Sequence, residues 1–158
     1  MPTNYTGPVR HTYTISGSLA DVVATIEAQE EAGKTTWPCT YSVTPGDDGT
    51  IASATIECTI NIEMPVWSGY SSAPPADQAE WDRFYAALEA HEQGHVDIVH
   101  AWLDNAAYAW LEGKPFDEAQ SIFDSLMANV QYQSDQYDLG NNHGIDEGCT
   151  ITYTEPSP

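Results

Sequence analysis

The stretch Trp81-Asp82-Arg83-Phe84-Tyr85-Ala86-Ala87-Leu88-Glu89-Ala90-His91-Glu92-Gln93-Gly94-His95-Val96-Asp97-Ile98-Val99 decides the fold. Trp81, Phe84, Leu88, His91, His95 and Val99 recur every three or four residues, the spacing that lays side chains along one face of an α-helix. The stripe runs on through Trp102, Ala106 and Trp110. Asp77 and Glu80 are placed as an N-cap and its partner, and Gly113 and Pro115 as stop signals. The pattern predicts one long helix from Asp77 to Glu112, or two joined at a kink.

Inside that helix, His91-Glu92-Gln93-Gly94-His95 is an H-E-x-x-H motif. Two imidazoles four residues apart project from the same face and can grip one ion, and zinc accepts neutral imidazole nitrogen at about 2.0–2.1 Å. Glu92 lies about 100° further round the helix, out of easy reach of the ion itself but within reach of a water on it, so it is the expected general base. Histidines facing a core need a reason to be there, which favours a metal site over two incidental side chains.

A catalytic zinc takes three protein ligands. His100 falls about half a turn away from His91, and the longer metzincin pattern fails because Ile98 and Ala101 stand where Gly and His are required. Glu112 and Glu118 are carboxylate alternatives at or beyond the helix end. His143 is the expected third ligand, in a polar, Gly-rich loop that a second helix returns to the middle of the first. That second helix is read from Asp117, with Gln120 completing a capping box and Ile122, Phe123, Leu126 and Val130 buried. Tyr137 is a candidate donor to a developing oxyanion, and Asp138 a candidate for orienting a ligand histidine.

Upstream, the pattern changes to alternation. His11 to Ser16 reads as a strand ending at Gly17, and Ser18 with Asp21 as a capping box for a helix carrying Leu19, Val22, Val23 and Ile26. Asp48-Gly49 is a hairpin signal between strand candidates Trp37 to Thr44 and Ile51 to Met64. In that register Cys39 faces Cys58, Tyr41 faces Ile56 and Val43 faces Ala54, which permits a disulfide and with it an oxidising compartment; two buried thiols are the alternative. The Pro-, Ser- and Gly-rich segment from Pro65 to Ala76 reads as a crossing loop, whose Trp67 and Tyr70 either line a cleft or cap the core edge. Tyr137 to Gly148 reads as a loop, and Cys149 to Tyr153 as a closing strand.

The 158 residues fit one domain, expected over 1–158. With 24 Asp plus Glu against 4 Lys plus Arg, a net charge of -20 makes nucleic acid and anionic membranes poor partners. No apolar run is long enough for membrane insertion, and no secretion signal stands at Met1, so any signal peptide is expected to precede this numbering.

The chain also resembles a bacterial domain family of unknown function described as predicted secreted zinc-dependent proteases. The likeness rests on Tyr13-Thr14-Ile15-Ser16-Gly17, Pro65-Val66-Trp67, Trp81 with Phe84, His91-Glu92-Gln93-Gly94-His95-Val96, and Tyr137-Asp138-Leu139-Gly140-Asn141-Asn142-His143-Gly144. Asn141 departs from that last motif, where the family carries Thr. The resemblance implies an extracytoplasmic, secreted or periplasmic, zinc peptidase and favours His143 as ligand.

The combined expectation is an α+β, zincin-like domain, with a small antiparallel sheet and an N-terminal helix packed on a long zinc-binding helix. Zn2+ would sit on His91, His95 and His143, with Glu92 as general base and Tyr137 as oxyanion donor, and the substrate would be a peptide or protein. The rivals are a non-catalytic metal-binding or interaction module that retains the motif, and an amidase acting on cell-wall peptides.

Overall fold

The computed structural model describes residues 3–154. Strand β1 (Asn4–Ile15) is followed by helix α1 (Leu19–Glu27), and the turn between them is fixed by the expected capping box: Ser18 Oγ accepts from the Asp21 amide, and the Asp21 carboxylate accepts from the Ser18 amide at 2.8 Å. Leu19, Val22 and Ile26 are buried. Two strands, β2 (Lys34–Thr36) and β3 (Cys39–Pro45), interrupted at Trp37-Pro38, then run along one side of β4 (Ile51–Trp67). Alternate residues of β4, Ile56, Cys58, Ile60, Ile62 and Met64, enter the core, as period-two patterning requires.

Cys39 faces Cys58, Tyr41 faces Ile56 and Val43 faces Ala54, and the two cysteines are bridged with their Cα atoms 4.1 Å apart. The hairpin tip is wider than a two-residue turn: the register slips so that Pro45 faces Ile51, and the Gly49 amide bonds the Gly46 carbonyl. The sheet is mixed, not purely antiparallel, because β1 pairs with β4 in parallel. Helix α1 carries the chain past one strand position before β2 begins. The hairpin's return strand fills that gap and meets β1 running the same way.

Helix α2 spans Pro75–Leu103 and buries Trp81, Phe84, Leu88, His91, Glu92, His95, Val96 and Val99. It starts at Pro75, whose missing N–H costs nothing in the first turn, so Asp77 is no N-cap; Glu80 turns instead to Arg83 and Thr152. It does not continue to Glu112: a break after Leu103 leads into a widened π-type turn, Ala107–Leu111. Trp67 is buried against Trp81 with its indole N–H on the Gly17 carbonyl, and Tyr70 bonds Asp82, so both edge the core.

Helix α3 spans Ala119–Gly140. Asp117 does not cap it, and Gln120 bonds Asp124 and Tyr41 instead. It runs four residues into the stretch read as loop, so Tyr137 and Asp138 stand on its last turn. Cys149 to Tyr153 forms no strand. Its backbone is held by side chains of α2: the Arg83 guanidinium donates to the Gly148 and Thr150 carbonyls, and Glu80 accepts from the Thr152 amide.

Candidate metal centre

His91 and His95 are both buried on the face of α2 turned toward α3 and the β2 side of the sheet. Asp138, on the last turn of α3, brings Oδ1 to 3.2 Å from His91 Nε2 and 3.1 Å from His95 Nε2, and the two Nε2 atoms are 3.3 Å apart. Donors set tetrahedrally around a cation at about 2.0–2.1 Å stand roughly 3.3 Å from one another. The three atoms therefore already have the spacing of a coordination triangle, and they are the group among the described residues able to hold a metal ion.

The far sides of both rings are committed elsewhere. His91 Nδ1 lies 2.7 Å from Glu147 Oε2, and His95 Nδ1 lies 2.8 Å from Ser134 Oγ. Protons on the Nδ1 atoms leave both Nε2 lone pairs free for a cation, which is how outer partners set a ligand's tautomer. Burial pushes the His95 imidazole toward its neutral form, the form that ligates. Tyr137 stacks on His91 at 5.1 Å and meets His95 edge-on at 5.1 Å, walling in the pair. Its hydroxyl donates to Glu147. Gly94 is glycine for a reason visible here, since a Cβ at that position would overlap the Tyr137 ring end.

Asn141 ties the turn after α3 to the site. Its amide donates to Glu147 Oε2 at 3.1 Å, and its carbonyl oxygen accepts the Gly144 amide at 2.8 Å. Asn142, His143 and Gly144 all have positive φ, and this left-handed turn folds the chain back so that Glu147 reaches His91. Gly144 packs where a Cβ would strike Cys149.

Glu92 is buried on the neighbouring side of α2. Thr35 Oγ1, on β2, donates to its Oε2 at 2.6 Å, and Gly33 leaves room for the other oxygen. Burial raises its pKa above the ordinary carboxylate range. A cavity of about 640 Å³ opens beside it, lined by His91, Glu92, His95, Asp138, His143 and the residues of β2. His143 is exposed on the cavity wall and lies outside the cluster of three donors, whose third place Asp138 takes.

Neither carboxylate alternative is part of that cluster: Glu112 accepts the Ala54 amide, and Glu118 stands at the start of α3. His100 pairs with Asp104 and packs at a tilt against Tyr5. Reading the sequence alone reached the two histidines and assigned Asp138 only an orienting role. It missed Ser134 and Glu147, although Val130, Ser134 and Asp138 stand four apart, a helical row whose polar members mark a site.

The profile of a family described as bacterial protein of unknown function (DUF922) matches residues 10–144, most of the chain, including every donor of the cluster. Neither a curated protein nor a solved structure matches it.

Proposed function

The chain belongs to the bacterial DUF922 family, and from its own metal centre we propose that it is a zinc-dependent metallopeptidase. The observation that carries this reading is the triangle of two imidazole nitrogens and one carboxylate oxygen at 3.1–3.3 Å, open to a cavity with a buried carboxylate beside it. Two nitrogens and one oxygen suit zinc, and three protein ligands leave one position free for chemistry. Zinc bound there supplies Lewis acidity, polarising a carbonyl and acidifying water near neutral pH.

The chain's own groups do the rest. His91, His95 and Asp138 hold the ion, with Glu147 and Ser134 fixing the imidazoles. Glu92 takes the proton from the attacking water and passes it to the leaving amine. An extended peptide lies along β2, an edge strand of the sheet whose residues line the cavity. The Cys39–Cys58 bridge fits an oxidising, extracytoplasmic compartment, and no helix among the described residues is long and apolar enough to cross a membrane.

The test is zinc content beside peptide cleavage for the wild type and Glu92→Gln. The expected result is about one zinc per chain in both, with cleavage lowered roughly 10²–10⁴-fold by the substitution. A wild type that binds zinc yet cleaves neither a broad peptide mixture nor cell-wall peptides is a binding module. A chain that takes up no zinc, or a substituted chain that cleaves as fast as the wild type, overturns the peptidase reading.

A further inference from the structure

Peptide hydrolysis places negative charge on the carbonyl oxygen under attack, and a donor aimed at that oxygen is worth more than any contact with the substrate at rest. Tyr137 and His143 are two side chains near the metal centre that are chemically able to donate. Tyr137 has one hydroxyl proton, and Glu147 takes it, with Oε1 at 3.0 Å and Oε2 at 3.2 Å. Its ring is packed between His91, His95 and Gly94, and it is absent from the cavity wall. Moving it would uncover both ligands.

His143 is placed the other way. It lies on the cavity wall with Glu92, His91, His95 and Asp138, it is exposed, and among the described residues its imidazole makes no hydrogen bond. Its backbone is held firmly: the His143 amide bonds the Asp138 carbonyl at 2.6 Å, the Gly144 amide bonds Asn141, and the Cys149 amide bonds the Gly144 carbonyl at 2.9 Å. The residue sits at φ 53°, a left-handed conformation that costs a non-glycine residue on the order of 1 kcal/mol, so glycine would be the cheaper choice for the turn alone. The turn thus keeps a free N–H donor on the wall of the cavity, one residue from the Gly144 that packs against His91.

The geometry points to His143 as a catalytic residue, the donor that stabilises the oxyanion of the tetrahedral intermediate, with Tyr137 as a positioning residue for the two histidines. This rests on the peptidase reading above. In the step concerned, a water oxygen forms a bond to the carbonyl carbon as the π pair moves onto the carbonyl oxygen. His143 donates to that oxygen, the pair returns, and the C–N bond breaks. The proton taken by Glu92 leaves on the amine, so acid and amine account for the peptide and the water, and nothing is oxidised or reduced.

The experiment uses zinc-loaded wild type and His143→Gly, since glycine removes the imidazole and suits the left-handed backbone; His143→Asn, which also tolerates that backbone but is too short to reach, replaces it should the first chain not fold. Zinc content, kcat and KM for a peptide, and the affinity of a phosphinic peptide mimicking the tetrahedral intermediate are measured. The expected result is unchanged zinc, a roughly 10²–10³-fold lower kcat with little change in KM, and a comparable loss of phosphinic-peptide affinity. Loss of zinc would make His143 a ligand and overturn the proposal, as would an unchanged kcat. A wild type that does not cleave condemns the peptidase reading itself, and the role of His143 falls with it.

Discussion

Gly94 shows how one position is contested by two demands. In the middle of a helix, glycine is worse than alanine by about 1 kcal/mol, so helix propensity alone argues for Gly94→Ala. The Cβ so added would stand 2.8 Å from Tyr137 Cε1, closer than real side chains approach. That ring has no easy escape, since its hydroxyl is tied to Glu147 and its face lies on His91. Overpacking of this kind costs about 1–3 kcal/mol, enough to cancel the propensity gain or exceed it. The sharper consequence is for the metal: when Tyr137 shifts it takes Glu147 with it, and His91 loses the partner on its Nδ1. Zinc titration of Gly94→Ala should show affinity roughly 10–100-fold weaker than wild type. A substituted chain that melts higher and binds zinc as tightly would mean that Tyr137 and Glu147 do not hold the histidines.

At the scale of elements, what the sequence disclosed follows the kind of pattern each element carries. The β3–β4 register was legible because strand side chains alternate with a period of two and a glycine marks the turn, so Cys39 could be set against Cys58. The parallel pairing of β1 was not, because nothing local records that α1 skips one strand position. The end of α3 was hidden for a different reason. Its inward row passes from Val130 to Ser134 and Asp138, and apolar periodicity stops where the helix turns to the candidate metal site. Glu147 was out of reach because its place depends on the left-handed turn before it. The segment carrying Glu147 is fastened in turn by Arg83 and Glu80 of α2, and this coupling is titratable. The Arg83 hydrogen bond first, helped by those of Thr152, holds the Glu80 carboxyl down to about 2 from an ordinary 4.5. A depressed folded-state value adds stability that is complete above about pH 4.5 and lost as pH falls toward about 2. Wild type should therefore be more stable than Glu80→Gln at pH 6, with the difference closing by about pH 2. Urea melts at stepped pH check this, and a difference that stayed constant would detach Glu80 from the stability of the tail.

Across the whole molecule, 24 acidic side chains face 4 basic ones, so repulsion is the dominant long-range term. Among the described residues, the Lys and Arg ion pairs are Arg10 with Glu89 and Arg83 with Glu80, both at 2.7 Å; they are at least partly solvated, so salt has little attraction to screen away. It has much repulsion to screen. Raising a monovalent salt from about 0.01 M to about 1 M shortens the Debye length from about 30 Å to about 3 Å, less than the spacing of most surface charges. The folded chain concentrates its negative charge more than the unfolded chain does, so screening favours the fold. A gain on the order of 1–2 kcal/mol raises Tm by roughly 2–4 °C per kcal/mol in a chain of this size. Calorimetry in sodium chloride, at fixed pH and metal content, should show Tm climbing through the low-salt range and levelling off once the Debye length is a few ångströms. A Tm that is flat or falls over the same range would mean that the few ion pairs outweigh the acidic surface.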